Sequence, residues 1–420
     1  MQSLPRLSTK FALISFLLVC LTYVVNAMDR SVFPVLLPAV AKEYSFPLAT
    51  GGLLATLFTL GLGIAGIPGG FLFDRLSRRA VAALGIVIYS VCTILTCVSI
   101  GFYDMAAYRV VSGVGEALQN VAIFTIAGTY FLSNRTLALG VLNVAYGAGS
   151  FIGPRWGSAL MIESGNWHVP MYVFGVVGLI GAAIVMLLVS RRFSEQTGVV
   201  ALRDSVEESH IPARLLNCNT VLLALVSVGA GLANFGYVGL YPTFLRTALH
   251  FSAQDAAAAA SMYGVGALMG IPVGYLADRI NQKALHLFAL VMLGTVAYAI
   301  FNLATSFAAQ EWLAFGEGMA ASAILYVNGY SLMQRSVRAS MVGRASGLYI
   351  CCYYTAAAVS GYCFASLKVV FDNWGTAALV LMSGQLVIAF ILMSFFDTTR
   401  IANRPKAAAA PLAKGDAEAV

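Results

Sequence analysis

Two short stretches set ionisable side chains inside long apolar runs: Asn26-Ala27-Met28-Asp29-Arg30, and Arg109-Val110-Val111-Ser112-Gly113-Val114-Gly115-Glu116-Ala117. Within a lipid bilayer each such charge costs about 2.5–3.5 kcal/mol on insertion scales, so it is a functional candidate by default. On a helix, Arg109 and Glu116 share one face two turns apart, about 10 Å in height at 1.5 Å per residue. Antiparallel helices then bring Asp29 level with Arg109 and Arg30 level with Glu116, which predicts the ion pairs Asp29–Arg109 and Arg30–Glu116. The chemistry this quartet offers is coupling of protons to an anion. A carboxylate beside an arginine stays ionised, and it accepts a proton once the arginine turns to another anion. In this scheme Arg30 receives the negative group of a substrate, Asp29 and Glu116 carry protons, and Arg109 poises Asp29. Two buried ion pairs can equally serve to hold two helices together, and that reading stays open.

Other side chains are candidates for a central cavity. Tyr23, Asn120, Tyr146, Asn234 and Tyr353, with Tyr237, Asn328 and Tyr354, carry hydroxyls and amides able to hydrogen-bond a polar substrate. Each taken singly is more often a packing or interfacial residue. Arg155 offers either a second anion contact or an outer charge paired with Glu163. Glu317, in Phe315-Gly316-Glu317-Gly318, offers a proton site, a hydrogen-bond donor or a structural group. The seven cysteines lack metal-ligand spacing and read as small packing residues. The four histidines, at 168, 210, 250 and 286, are scattered, which argues against a metal or nucleophilic site. With no Gly-x-x-x-x-Gly-Lys-Ser/Thr loop, energy from ATP is not expected, nor is any cofactor.

These residues must be held by helices that cross a membrane. The chain is 60% hydrophobic and only 10% charged, against roughly 25% charged residues in soluble domains. Apolar runs of about 20 residues recur throughout. They give spans near roughly 11–36, 49–72, 80–101, 105–131, 137–161 and 168–190, then near roughly 220–244, 255–277, 284–304, 309–333, 345–367 and 375–396. The first run is too long for a cleaved signal and is expected to be kept as the first span. The expected organisation is a six-helix half over 1–193, a polar linker over 194–217, a second half over 218–396 and a disordered tail over 397–420.

Charge placement predicts the sidedness. Of the 25 basic residues, only Lys42, Arg246 and Lys368 fall in odd-numbered loops and only Arg30, Arg109 and Arg155 within spans. The remainder cluster at the termini and in even-numbered loops, so both termini are expected on the cytoplasmic side. The net charge of +7 follows from that asymmetry and does not call for a nucleic-acid partner. An internal repeat supports two halves. Gly70-Phe-Leu-Phe-Asp74-Arg75-Leu-Ser-Arg78-Arg79 follows the second span, and Gly274-Tyr-Leu-Ala-Asp278-Arg279 follows the eighth, with Gly274 and Asp278 each 204 residues after Gly70 and Asp74. Duplications of this kind place a substrate site between the halves.

With these motifs the chain resembles the major facilitator superfamily over essentially its whole length. The Gly70 to Arg79 loop is similar to the superfamily's signature after its second helix, with Ser77 where a second glycine is usual. The resemblance implies a gating loop in which Gly70, Asp74, Arg75 and Arg78, with Asp278 and Arg279 in the second copy, hold one state of the transporter. The same charges also set topology. Arg109-x-x-x-Gly113-x-Gly115 resembles the superfamily's motif linked to proton coupling. Joined to Asp29-Arg30, it is similar to two branches: the anion:cation symporters, taken here as the nearer, and the spinster exporters. Gly153-Pro154 resembles a motif of drug–proton antiporters, from which Arg155 departs.

Three functions compete on this basis. The first is proton-coupled symport of a small organic anion, a carboxylate, by alternating access. The second is proton-coupled export of an amphiphile, lipid or drug, and the third is a transporter-like receptor that binds without flux. The expected partners are the substrate, protons and the lipid bilayer, with the monomer as working unit and a bacterial inner membrane as location.

Overall fold

The computed structural model describes residues 8–72, 76–131, 135–195, 212, 214–277, 280–338 and 341–401. Regular structure among them is entirely helical. The first half comprises α1 (Thr9–Tyr44), α2 (Leu48–Thr56) with α3 (Phe58–Leu72), α4 (Arg78–Thr96), α5 (Phe102–Tyr130), α6 (Arg135–Ser164), α7 (His168–Leu188) and the short α8 (Arg191–Ser194). The second comprises α9 (Cys218–Thr247), α10 (Ala253–Leu268) with α11 (Gly270–Ala277), and α12 (Gln282–Asn302). Then α13 (Phe307–Gly318) and α14 (Val327–Arg335) flank a π-helical segment over Met319–Tyr326. After α15 (Val342–Phe371), α16 (Trp374–Ala378) and α17 (Gln385–Ser394) flank another over Leu379–Gly384.

Ten helices among the described residues are long and apolar enough to cross a membrane, so this is an all-α, multi-pass membrane protein. The first runs well past the expected end near 36. Pro34 and Pro38 lie inside it without ending it, and it stops only where Ser45 turns left-handed (φ 55°). At 36 residues it is about 54 Å long, more than the roughly 30 Å of hydrocarbon. Exposed Leu17, Leu21, Ile180, Leu187, Val369 and Ile388 give the bundle the apolar outer surface that lipid requires.

Helix pairing repeats between the halves. The α1–α6 packing recurs as α9–α15, α3–α5 as α10–α13, and α4–α7 as α12–α17. Across the halves, α6 lies along α10, and α2 with α3 lies along α15. Small residues allow these crossings. A Cβ on Gly52 would meet the carbonyl of Gly361, and one on Gly264 would meet the backbone of Gly147 and Phe151.

The polar linker and the tail are described only in part. Ser194 ends α8, and Asn217 caps α9 by accepting from the Thr220 backbone N–H at 3.2 Å. Of the tail expected over 397–420, only residues 397–401 are among those described. Asn219 exchanges two hydrogen bonds with the Asp397 backbone, at 2.7 and 2.9 Å, and Thr398–Arg400 forms a single 3-10 turn. Residues 402–420 lie outside the described residues.

Candidate functional site

The charged quartet lies where α1 meets α5, walled on one side by α4. Arg30 Nε stands 2.6 Å from Glu116 Oε2, and both side chains are almost wholly shut off from solvent. Ser112, one turn before Glu116 on α5, donates to Glu116 Oε1 at 3.4 Å. One turn along, Asn26 donates to Gln119 Oε1 at 2.9 Å and Gln119 donates to Thr22 at 3.2 Å, which extends the polar seam between α1 and α5. Gln119 escaped the sequence reading, although its place three residues after Glu116 puts it on the same face.

The expected Asp29–Arg109 ion pair is not formed. Asp29 Oδ1 accepts from Thr93 of α4 at 2.8 Å, while Arg109 Nε donates to the Leu54 carbonyl at 3.4 Å. The Arg109 guanidinium lies over the rings of Phe33 and Phe58, 4.4 and 4.9 Å from their centres. Helix arithmetic sets the depth of a side chain but not which neighbours claim it, and here a threonine and two aromatic faces do. One oxygen of Asp29 and one terminal nitrogen each of Arg30 and Arg109 are buried without a hydrogen-bond partner. The site thus holds unspent polar capacity.

A cavity of about 50 Å³ opens beside Arg30, room for no more than a few waters. Its polar wall in the first half is Arg30, Ser31, Tyr146 and Ser150; the second half faces them with Tyr237, Tyr241 and Tyr263, and Phe58 and Phe235 supply apolar wall. A larger cavity, about 260 Å³, lies at the start of α12 beside Asn281 and Lys283, away from the quartet. Size does not make it the site, because the unspent buried charge is at Arg30.

The remaining candidates divide. Tyr146 reaches the cavity with Arg30. Tyr23 packs on Phe124 and Tyr146, and Asn120, half-buried, leaves its Oδ1 unpartnered. Asn234 and Tyr353 are drawn into a network instead: Asn234 donates to the Tyr353 hydroxyl at 3.0 Å and accepts from Tyr263 at 3.1 Å, tying α9 to α15 and α10. Tyr241 and Tyr263 were missed by the sequence reading. The signal for Tyr241 was its position four residues after Tyr237, where the rings stack at 4.5 Å.

Arg155 does not pair with Glu163. It donates to Ser261 of α10 at 2.7 Å and stands 3.9 Å from Glu311 of α13, so it ties the two halves together. The gating loop is described only at its edges. Gly70 lies in the last turn of α3, and Ser77 caps α4 by accepting from the Ala80 N–H at 3.3 Å. Arg78 and Arg79 donate to the carbonyls of Ser194 and Val189, at 3.5 and 3.0 Å. Asp74, Arg75, Asp278 and Arg279 lie outside the described residues. Among the described residues no group of His, Cys, Asp and Glu side chains is arranged to hold a metal.

Residues 19–361 match the family model described as Major Facilitator Superfamily. The chain belongs to that superfamily. Members are transport proteins and not enzymes, so this chain is a secondary transporter that draws on a gradient to move a small molecule across the bilayer. A cis,cis-muconate transport protein of Acinetobacter baylyi is 24% identical over 297 residues, 69% of this chain and 70% of the relative. The sphingosine-1-phosphate transporter SPNS2 of Danio rerio is 25% identical over 278 residues, 62% of this chain but only 55% of the relative. The crystal structure of a bacterial homologue of the human lysosomal transporter Spinster, inward-facing and unoccupied, shares the fold. Its TM-score is 0.69 at 18% identity, covering 94% of this chain and 97% of that one.

These findings correct the placement of the chain nearest the anion:cation symporters. Spinster-type proteins recur among its relatives, and a spinster homologue shares its whole architecture. The likeness carried by Asp29-Arg30 with Arg109 to Ala117 extends to both branches and does not choose between them.

Proposed function

We propose that this transporter is a proton-coupled exporter of an amphiphile with an acidic head group. The observation that carries the proposal is the cavity wall, where one guanidinium, that of Arg30, stands among Phe58, Phe235 and stacked tyrosines. An anionic head group suits Arg30, and an apolar body suits the aromatic side. The sphingosine-1-phosphate transporters among the relatives support the same class of cargo.

Coupling follows from competition for one guanidinium. Glu116 is buried, and its charge is compensated by Arg30. When the anionic group of the substrate engages Arg30, the carboxylate loses that compensation and takes a proton. Substrate and proton then occupy the site under mutual control, and release of one favours release of the other. Asp29, held by Thr93 with one oxygen free, is the second carrier beside it. The halves rock about the α6–α10 and α2/α3–α15 crossings to open the cavity to one side at a time. Both termini face the cytoplasm, and the gating loop steadies one of those states.

A second reading, import of a small carboxylate, is favoured by the muconate transporter among the relatives. The test uses protein in liposomes under an imposed pH gradient. Gradient-driven efflux of an anionic lysolipid, abolished by Arg30→Ala and made insensitive to pH by Glu116→Gln, is the expected result. Uptake of a dicarboxylate with no movement of lysolipid would overturn it in favour of the second reading.

A further inference from the structure

Glu317 is the one fully buried carboxylate of the second half that the coupling scheme leaves unused, among the described residues. It is 0% exposed, and neither carboxylate oxygen has a hydrogen-bond partner. Ionised, it would have nothing to offset its burial, a cost far above that of a neutral polar group. Its position is not loose. Gly318 on its C-terminal side packs on the Tyr263 backbone, and Gly266 packs on Phe315 and Met319, so α10 and α13 meet backbone to backbone at Glu317. This is the crossing that pairs by symmetry with α3–α5, where Gly113 packs on Phe58 three residues before Glu116. Glu317 lies 201 residues after Glu116, close to the spacing of 204 in the loop repeat.

The neighbours connect it to the cavity. Tyr237 and Tyr241 of α9 and Tyr263 of α10 lie within electrostatic reach of Glu317, and all three line the cavity that holds Arg30. The Tyr241 hydroxyl donates to Gln310, whereas that of Tyr237 makes no aligned hydrogen bond. Other charges are spent or distant. Glu311, about 9 Å back along α13, faces Arg155, and α12 sets Val296 against Gly316. Among the described residues no lysine, arginine or histidine forms an ion pair with Glu317. Immediately after it the chain winds into the π segment Met319–Tyr326, an irregularity found often at functional sites.

We propose that Glu317 is a second proton-binding site, in the C-terminal half, which holds its proton while the cavity is closed. It exchanges that proton with cavity water past the Tyr237 hydroxyl when the halves part. The inference deepens the proton-coupled reading above and adds a proton carrier to it. Infrared difference spectroscopy on the purified full chain tests it without any transport. A carboxylic-acid C=O band at neutral pH that disappears in Glu317→Gln and persists in Glu116→Gln is expected, with slower deuterium exchange of that band in Tyr237→Phe. Absence of a band assignable to Glu317 would overturn the proposal. In liposomes, Glu317→Gln is expected to lower the proton-to-substrate ratio by one while transport continues, and an unchanged ratio would refute a coupling role. Should no substrate be moved at all, the infrared result still decides the site, so its failure and failure of the transport reading are told apart.

Discussion

At the scale of single residues, the Arg30–Glu116 contact makes a prediction that separates charge from packing. Removing one partner of a buried pair leaves the other uncompensated, at a cost of about 3–5 kcal/mol, whereas replacing both with apolar groups is often neutral or better. Arg30→Met is therefore expected to lower the unfolding temperature in detergent sharply, and Arg30→Met/Glu116→Leu to recover most of the loss while abolishing transport. A double variant destabilised by the sum of the two single effects would mean that the two side chains act independently. Arg109 makes a different prediction. Its guanidinium lies over Phe33 and Phe58, and a lysine keeps the charge but not the planar face. Arg109→Lys should cost about 1–2 kcal/mol in thermal unfolding, close to Arg109→Met; a fully stable lysine variant would show that charge alone matters. The Arg30–Glu116 pair was legible from residue spacing because depth along antiparallel helices decides it. The fate of Asp29 was not, because Thr93 comes from a third helix whose rotation no local pattern reports.

At the scale of elements, the glycines in the stretch likened to a proton-coupling motif have a packing task. A Cβ on Gly113 would run into the Phe58 carbonyl of α3, and one on Gly115 into the Gly85 carbonyl of α4. Together they seat α5 between its two neighbours and hold Glu116 at the level of Arg30. Gly115→Val forces a backbone shift, and overpacking of that kind costs about 1–3 kcal/mol or more. The expected outcome is a marked loss of monodisperse protein on size-exclusion chromatography, with Glu116 chemistry lost as a consequence. Wild-type yield with selective loss of pH dependence would instead assign the glycine to coupling directly. Spans were readable at this scale because about 20 apolar residues leave few alternatives. The breaks within them were not, since Met269 and the π segments at Met319 and Leu379 sit in sequence as apolar as an uninterrupted helix.

At the scale of the whole molecule, the halves meet along seams whose strength sets how often the cavity opens. Where α2 lies against α15, Thr56 donates to the Ala358 carbonyl at 2.9 Å, and Gly52 and Gly361 bring their backbones into contact. Neither interaction lies within one half, so weakening it leaves each half intact and shifts only the balance between closed and open states. One hydrogen bond contributes about 0.5–1.5 kcal/mol, so Thr56→Val should raise the open-to-closed ratio about 2- to 12-fold. Gly361→Leu cannot be accommodated in the closed contact and should shift the balance further. Spin labels at Lys42→Cys and Val370→Cys, in a background lacking the seven native cysteines, would report the separation of the halves by pulsed electron spin resonance. A growing long-distance population in both variants, larger for Gly361→Leu, with unfolding temperatures near wild type, is the expected outcome. Unchanged distances would place the gate elsewhere, with the α6–α10 seam and its Arg155–Ser261 bond the next to test.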